Sequence, residues 1–134
     1  GPREERYFEE LKRLVEEEKV SERIIFSEPI YDIEEKIKKI DSAKIFVLPS
    51  KREAMPQALI EAMAREKIVV ASENLGSKEI IEDGRNGFLF PFNDKKRLAE
   101  ILQDEKGYRK LVLRGCFFVE LVDFFPVDYF EECF

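Results

Sequence analysis

The chain has no histidine, no tryptophan and only two cysteines, Cys116 and Cys133, in 134 residues. Zero histidine removes Ser-His-Asp triads, imidazole general bases and His-ligated metals from what this chain can do. The two cysteines show no metal or nucleophile spacing, so buried or free thiols in a reducing compartment are expected. No apolar run approaches the roughly 20 residues of a transmembrane helix. The opening residues, rich in Arg and Glu, do not read as a signal or transit peptide, and a cytoplasmic location is expected. A basic excess is also missing. Lys and Arg total 23 against 29 Asp and Glu, a formal net charge of -6. Nucleic-acid affinity rests on Lys and Arg at phosphates, so no nucleic-acid partner is expected. The short clusters Lys36-Lys38-Lys39 and Lys95-Lys96-Arg97 read as solvated helix faces.

What is present is the composition of one globular domain: 44% hydrophobic and 39% charged residues. Arg6 to Lys19 patterns as an amphipathic helix, with Phe8, Leu11, Leu14 and Val15 on one stripe. "RIIF" (Arg23 to Phe26) reads as a buried strand closed by Pro29. Asp32 can cap a helix over Ile33 to Ile40. "AKIFVLP" (Ala43 to Pro49) and "KIVVAS" (Lys67 to Ser72) are continuous apolar runs, as in parallel strands covered on both faces. Between them a helix runs from about Pro56 to Arg65. A short helix near Ser77 to Glu82, turns at Asp83-Gly84 and Asn86-Gly87, a strand "GFLF" and a helix capped by Asp94 follow. Alternating strands and helices predict an α/β layered sheet with right-handed crossovers. The expected division is a Rossmann-like part over 1–104 and an aromatic-rich tail over 105–134. The tail carries Phe117, Phe118, Phe124, Phe125, Tyr129, Phe130 and Phe134. It reads as a helix packed back on the domain, with a docking surface for a partner as the alternative.

The stretch "PSKREAMPQALIEAMAREKIVVAS" (Pro49 to Ser72) frames a loop-to-helix turn with two carboxylates, Glu53 and Glu61. A helix N-terminus offers unpaired N–H groups and the positive end of the macrodipole. In open α/β sheets ligands sit beyond the carboxyl ends of the strands, so the turn suits a phosphate or diphosphate. A carboxylate accepts two hydrogen bonds, which suits vicinal hydroxyls of a ribose or hexose. The outline is that of a nucleotide-sugar. Taken alone, a pair of acids at this spacing is common by chance in so acidic a chain.

The context is more specific. "LPSKREAMPQALIEAMA" (Leu48 to Ala64), "IVVAS" (Ile68 to Ser72) and "GSKEIIEDGRNGF" (Gly76 to Phe88) together resemble the donor-binding domain of retaining GT-B glycosyltransferases. This is the glycosyltransferases group 1 family, which includes glycogen synthase and many mannosyl- and glucosyltransferases of lipid and polysaccharide synthesis. "GPREERYFEELK" and "RIIF" resemble the corresponding upstream segments, and the likeness fades beyond about Leu102.

The resemblance implies a partial Rossmann-like parallel sheet with helices on both faces, and a nucleotide-diphosphate sugar as substrate without cofactor or metal. It places the family's acidic pair on Glu53, as the catalytic residue beside the donor sugar, and Glu61, at the ribose hydroxyls. The amides of Ala54, Met55 and Gln57 would face sugar and diphosphate, and Glu28 and Ile30 would lie near the nucleobase. Departures are Ala54, Glu28 and Glu66, each where Gly is usual, and Ile68, where Pro is frequent. Gly76 and Glu79 also match the family pattern, although a turn glycine and a first-turn helix Glu explain them without a ligand.

A whole enzyme of this family adds an acceptor domain, absent from this chain, and a peripheral place at the membrane is the alternative location for the full-length enzyme. Activity of this chain alone is therefore not expected. A stand-alone nucleotide-sugar binding or regulatory module and a degenerate fragment are the alternatives. The family's first two donor-domain strands are also absent. In the order 3-2-1-4-5-6 those two lie between "RIIF" and "KIFVLP". Three outcomes are expected for the resulting gap: "RIIF" pairs directly with "KIFVLP", two chains pair across the gap as a homodimer or strand swap, or the domain is poorly ordered.

Overall fold

The computed structural model describes residues 2–19, 21–27, 30–104, 110–114 and 118–122. Helix α1 spans Pro2–Glu17, and a single 3-10 turn at Ser21–Arg23 leads into β1 (Ile24–Ser27). Then follow α2 (Ile33–Asp41), β2 (Ile45–Leu48), α3 (Gln57–Ala64), β3 (Ile68–Ser72), α4 (Leu75–Ile80), β4 (Phe88–Phe90) and α5 (Lys95–Asp104). Two further strands, β5 (Lys110–Arg114) and β6 (Phe118–Val122), come from the tail.

The caps explain where the helices begin. Asp32 is extended and its carboxylate accepts the Glu35 amide at 3.0 Å. Asn74 does the same for α4, accepting the Ser77 amide at 2.8 Å. Asp94 accepts the Arg97 amide at 2.9 Å at the start of α5. Each satisfies an N–H that the helix cannot satisfy itself, typically worth about 1 kcal/mol. Helix α3 is the exception: Pro56 stands at its N-cap and no side chain caps it.

The two strands with continuous apolar character sit deepest. All four residues of β2 are buried, and so are the last four of β3. Alternation along them feeds two cores. Ile45, Val47 and Val70 join Phe90, Leu98, Ala99, Ile101 and Leu102, with Val15 and Ile24 packed alongside, under α1 and α5. Phe46, Leu48, Val69 and Ala71 join Ile40, Ala43, Leu59, Ala62 and Ile81, under α2 and α3. Each fully buried Val, Leu, Ile or Phe among them contributes about 1.5–3 kcal/mol of transfer free energy. The result is a three-layer α/β/α sandwich, as the apolar runs predict.

The sheet is continuous, with six strands in the order β1-β6-β5-β2-β3-β4. The β2, β3 and β4 strands are parallel neighbours, as expected. The middle of the sheet corrects the sequence reading. β1 does not pair with β2, and the gap is not left open. The β5–β6 pair fills both positions: β5 runs parallel to β2 with Ile45 opposite Leu111, and β6 runs antiparallel to both β5 and β1, with Ile24 opposite Leu121. None of the three expected outcomes is found, and the sheet is mixed rather than purely parallel. Five strands share one direction and β6 alone reverses it.

The helical reading of the tail is corrected in the same place, since 110–114 and 118–122 are strands. "KLVLR" and "FVELV" carry the period-two alternation of strands, with Leu111 and Leu113, then Val119 and Leu121, at alternate positions. The inner edges of β1 and β2 would otherwise present rows of unpaired N–H and C=O groups, which these strands satisfy. Of the tail aromatics, Phe118 opens β6, while Phe117, Phe124, Phe125, Tyr129, Phe130 and Phe134 lie outside the described residues.

Candidate functional site

Because β1, β2, β3 and β4 run the same way, their C-terminal ends deliver four loops to one edge of the sheet. The Pro49–Pro56 loop after β2 is held from behind by the chain after β3. The Ser50 carbonyl accepts hydrogen bonds from the Ser72 hydroxyl and, at 3.0 Å, from the Asn74 side-chain amide. The Glu53 carbonyl accepts the Gly76 amide at 2.8 Å. Ser72 is fully buried and Asn74 nearly so, which keeps the donor side of these bonds out of water.

Gly76 is more than a turn residue. It lies inside α4, and a Cβ built there would stand 2.5 Å from the Glu53 carbonyl oxygen and 2.9 Å from that of Ala54. No side chain fits at that separation, so glycine lets α4 press directly on the backbone carrying the candidate residues.

The loop then enters α3. Glu53 is half-buried, Ala54 and Met55 are exposed, and Pro56 is buried beneath the turn. The amides of Ala54 and Met55 have no hydrogen-bond partner among the described residues. The Gln57 amide, by contrast, donates to the Met55 carbonyl at 2.9 Å. With no side-chain cap on α3, the turn keeps the unsatisfied donors and positive potential that an anion prefers. The backbone of Ala54 is outside the left-handed region, so a side chain there is not strained. Glu66 does adopt φ +60 just after α3.

Glu61 lies in the second turn of α3 and is half-exposed. Its Oε2 forms an ion pair with Lys36 Nζ of α2 at 2.8 Å. The two parallel helices are tied again at their other ends. The Arg65 guanidinium grips both carboxylate oxygens of Asp41 through Nε and Nη2. This hydrogen-bonded fork, aided by the charges of Arg65 and Lys67, holds the Asp41 carboxyl below the usual carboxylate range, and the same fork raises Arg65.

Ile30 follows β1 at the same edge and packs against the α2–α3 core, while Glu28 lies outside the described residues. Lys51 sits over the Phe92 ring at 5.9 Å. Large apolar side chains collect at this edge: Tyr31, Ile33, Met55, Leu75 and Phe92 are all exposed. No group of three or more carboxylates or thiols that could hold a metal occurs among the described residues.

The structure thus brings Glu53, Ala54, Met55, Gln57 and Glu61 onto one loop and helix. Sequence reading missed their supports. Asn74 three residues before Ser77 is a recognisable capping signal. The Lys36–Glu61 pair has no local signature, because its partners lie on different helices.

Comparison with known families settles the relationship. The family model described as glycosyl transferases group 1 matches residues 1–111. The chain belongs to that family. This group 1 glycosyltransferase chain is 45% identical over 76 residues to "Amylovoran biosynthesis glycosyltransferase AmsK" of Erwinia amylovora, covering 52% of the chain and 19% of that protein. It is 35% identical over 80 residues to "Putative glycosyltransferase EpsD" of Bacillus subtilis, covering 57% and 21%. It is 39% identical over 71 residues to "Putative colanic acid biosynthesis glycosyltransferase WcaL" of Salmonella typhimurium, covering 48% and 18%. The chain spans about a fifth of the length of these curated relatives. No solved structure matches. The family match ends at residue 111, inside β5, so β6 and the last three residues of β5 lie beyond it. No helix among the described residues is long and apolar enough to cross a membrane.

Proposed function

We propose that this chain is the donor-binding part of a retaining, metal-independent glycosyltransferase that uses a nucleoside-diphosphate sugar. The observation that carries the reading is the uncapped start of α3, flanked by Glu53 and Glu61 on a loop pinned by Ser72, Asn74 and Gly76. In this reading the amides of Ala54 and Met55 meet the diphosphate. Negative charge grows on the leaving group as the glycosidic bond breaks, and fixed N–H dipoles stabilise it without reorganising. Glu53 lies by the donor sugar and Glu61 accepts from the ribose hydroxyls. Retention of configuration and independence from metals are what the family resemblance implies. The names of two relatives, for amylovoran and colanic acid biosynthesis, favour polysaccharide assembly as the setting. The exposed apolar rim of Tyr31, Ile33, Met55 and Leu75 fits a site covered by an acceptor domain. The whole enzyme would then work in the cytoplasm, peripherally at the membrane where its acceptor is lipid-linked.

A thermal-shift titration with UDP, GDP, ADP and their sugars tests the reading. A ligand at 100 times its Kd stabilises by about 2.7 kcal/mol, a shift of several degrees for a domain of this size. One nucleotide is expected to give that shift, and Glu61→Ala to abolish it. A cooperative melt that no nucleotide moves overturns the reading in favour of a domain without ligand. Nucleotide binding with no transfer by the relative-length enzyme would instead identify a binding or regulatory module.

A further inference from the structure

We propose that Lys36 is a positioning residue for the ligand carboxylate of Glu61 and sets how strongly the site selects a ribose diol. The inference rests on the donor-site reading above and goes beyond it, to a residue on a different helix.

Three observations carry it. First, the Lys36 ammonium lies 2.8 Å from Glu61 Oε2, against 3.1–3.5 Å for the Arg85–Glu82, Lys12–Glu9 and Arg97–Glu100 pairs. A glutamate side chain has three rotatable bonds, and a second-turn helical Glu samples several rotamers when unpaired. The ion pair selects one of them. Second, the pair is not needed to hold α2 against α3. Arg65 already clamps Asp41 through two hydrogen bonds at the other ends of the same helices, and Lys67 Nζ donates to the Asp41 carbonyl at 3.3 Å. Partly exposed ion pairs add little stability, and the Lys36 and Glu61 side chains are 30% and 42% exposed. Third, the backbone that carries Lys36 is held in the first turns of α2. Its amide donates to the Asp32 carbonyl at 3.0 Å, in the turn that the Asp32 side chain caps.

The chemistry follows from counting lone pairs. An ionised carboxylate offers about four acceptor sites. Lys36 occupies Oε2 from the α2 side, and Oε1 forms no hydrogen bond among the described residues, so it keeps its capacity for hydroxyls. Two vicinal hydroxyls can share that oxygen or span both. A sugar lacking them leaves the pre-set acceptor unpaired, which is the basis of strong discrimination. Lys36 thus converts a mobile acid into a fixed diol acceptor.

The test compares the Kd of each ribonucleoside diphosphate (UDP, GDP, ADP) with that of its 2′,3′-dideoxy form, for wild type, Lys36→Met, Lys36→Arg and Glu61→Gln. Wild type is expected to prefer one ribonucleotide. Lys36→Met should weaken that ribonucleotide about tenfold, the scale of one well-placed hydrogen bond to a charged group, while leaving the dideoxy form unchanged. Lys36→Arg should restore part of the preference. Lys36→Met combined with Glu61→Gln should lose no more than Glu61→Gln alone, because the two act as one unit. Equal losses for both nucleotide forms, or an undiminished ribose preference in Lys36→Met, would show Lys36 to be structural and overturn the inference while leaving the donor site standing. A wild-type chain that binds no nucleotide, or binds ribo and dideoxy forms equally, overturns the Glu61 reading and this inference with it.

Discussion

The two halves of the sheet are built by different means. On one side, β2, β3 and β4 follow each other along the chain, each joined to the next by a helix, and each pairs with its sequence neighbour. The loop that carries Glu53 and the groups that brace it lie in this half: the Pro49–Pro56 loop, Ser72, Asn74 and Gly76. On the other side, β1 is joined to β2 only through β6 and β5, and the family match ends two residues into β5. The site half is specified by local order and continuous apolar strands. The other half is specified by a closure between distant segments, with its hydrogen bonds completed by an antiparallel pair. The candidate site can therefore rest on a locally encoded half while the remaining sheet positions are filled from elsewhere in the chain.

Removing the tail should break this comparison most severely. A chain ending at Asp104 leaves the inner edges of β1 and β2 unpaired, and loss of a cooperative thermal melt is expected by circular dichroism. If the shortened chain still melted cooperatively and bound nucleotide, the site half would be autonomous and the tail strands dispensable. A smaller effect, confined to the site half, is expected from Gly76→Ala. The added Cβ would meet the Glu53 carbonyl at 2.5 Å, and overpacking of this kind costs about 1–3 kcal/mol. The nucleotide-induced shift should fall by more than the stability loss explains, because the displaced backbone carries Glu53 and Ala54. Unchanged binding would show that α4 does not set the loop. The smallest effect has the opposite sign. Glu66 holds φ +60 after α3, so Glu66→Gly should stabilise by about 1 kcal/mol, read as a few degrees in Tm.

Much of the site half is legible in the sequence, because its signals are short-range. The apolar runs at Ile45–Leu48 and Ile68–Ser72 declare buried parallel strands, and Asp32 and Asp94 declare helix starts. The family motif adds the positions of Glu53 and Glu61. The role of Gly76 was less visible, since a glycine required by close packing looks the same in sequence as one in a turn. Lys36 gave no warning, as its partner is brought close only by the parallel packing of α2 and α3. In the tail, seven aromatics drew the reading toward a helix or a docking face. The weaker alternation of "KLVLR" and "FVELV" carried the true assignment, and only the vacancy between β1 and β2 gives those strands their place.

The order of strands in the sheet also sets an order in time. Ile24 pairs with Leu121, about a hundred residues later in the chain. During translation, at roughly 5–20 residues per second, β1 must wait on the order of ten seconds for its partner to be made. The locally connected strands β2 to β4 can assemble meanwhile, but the nascent chain carries two open sheet edges until the ribosome has delivered β6.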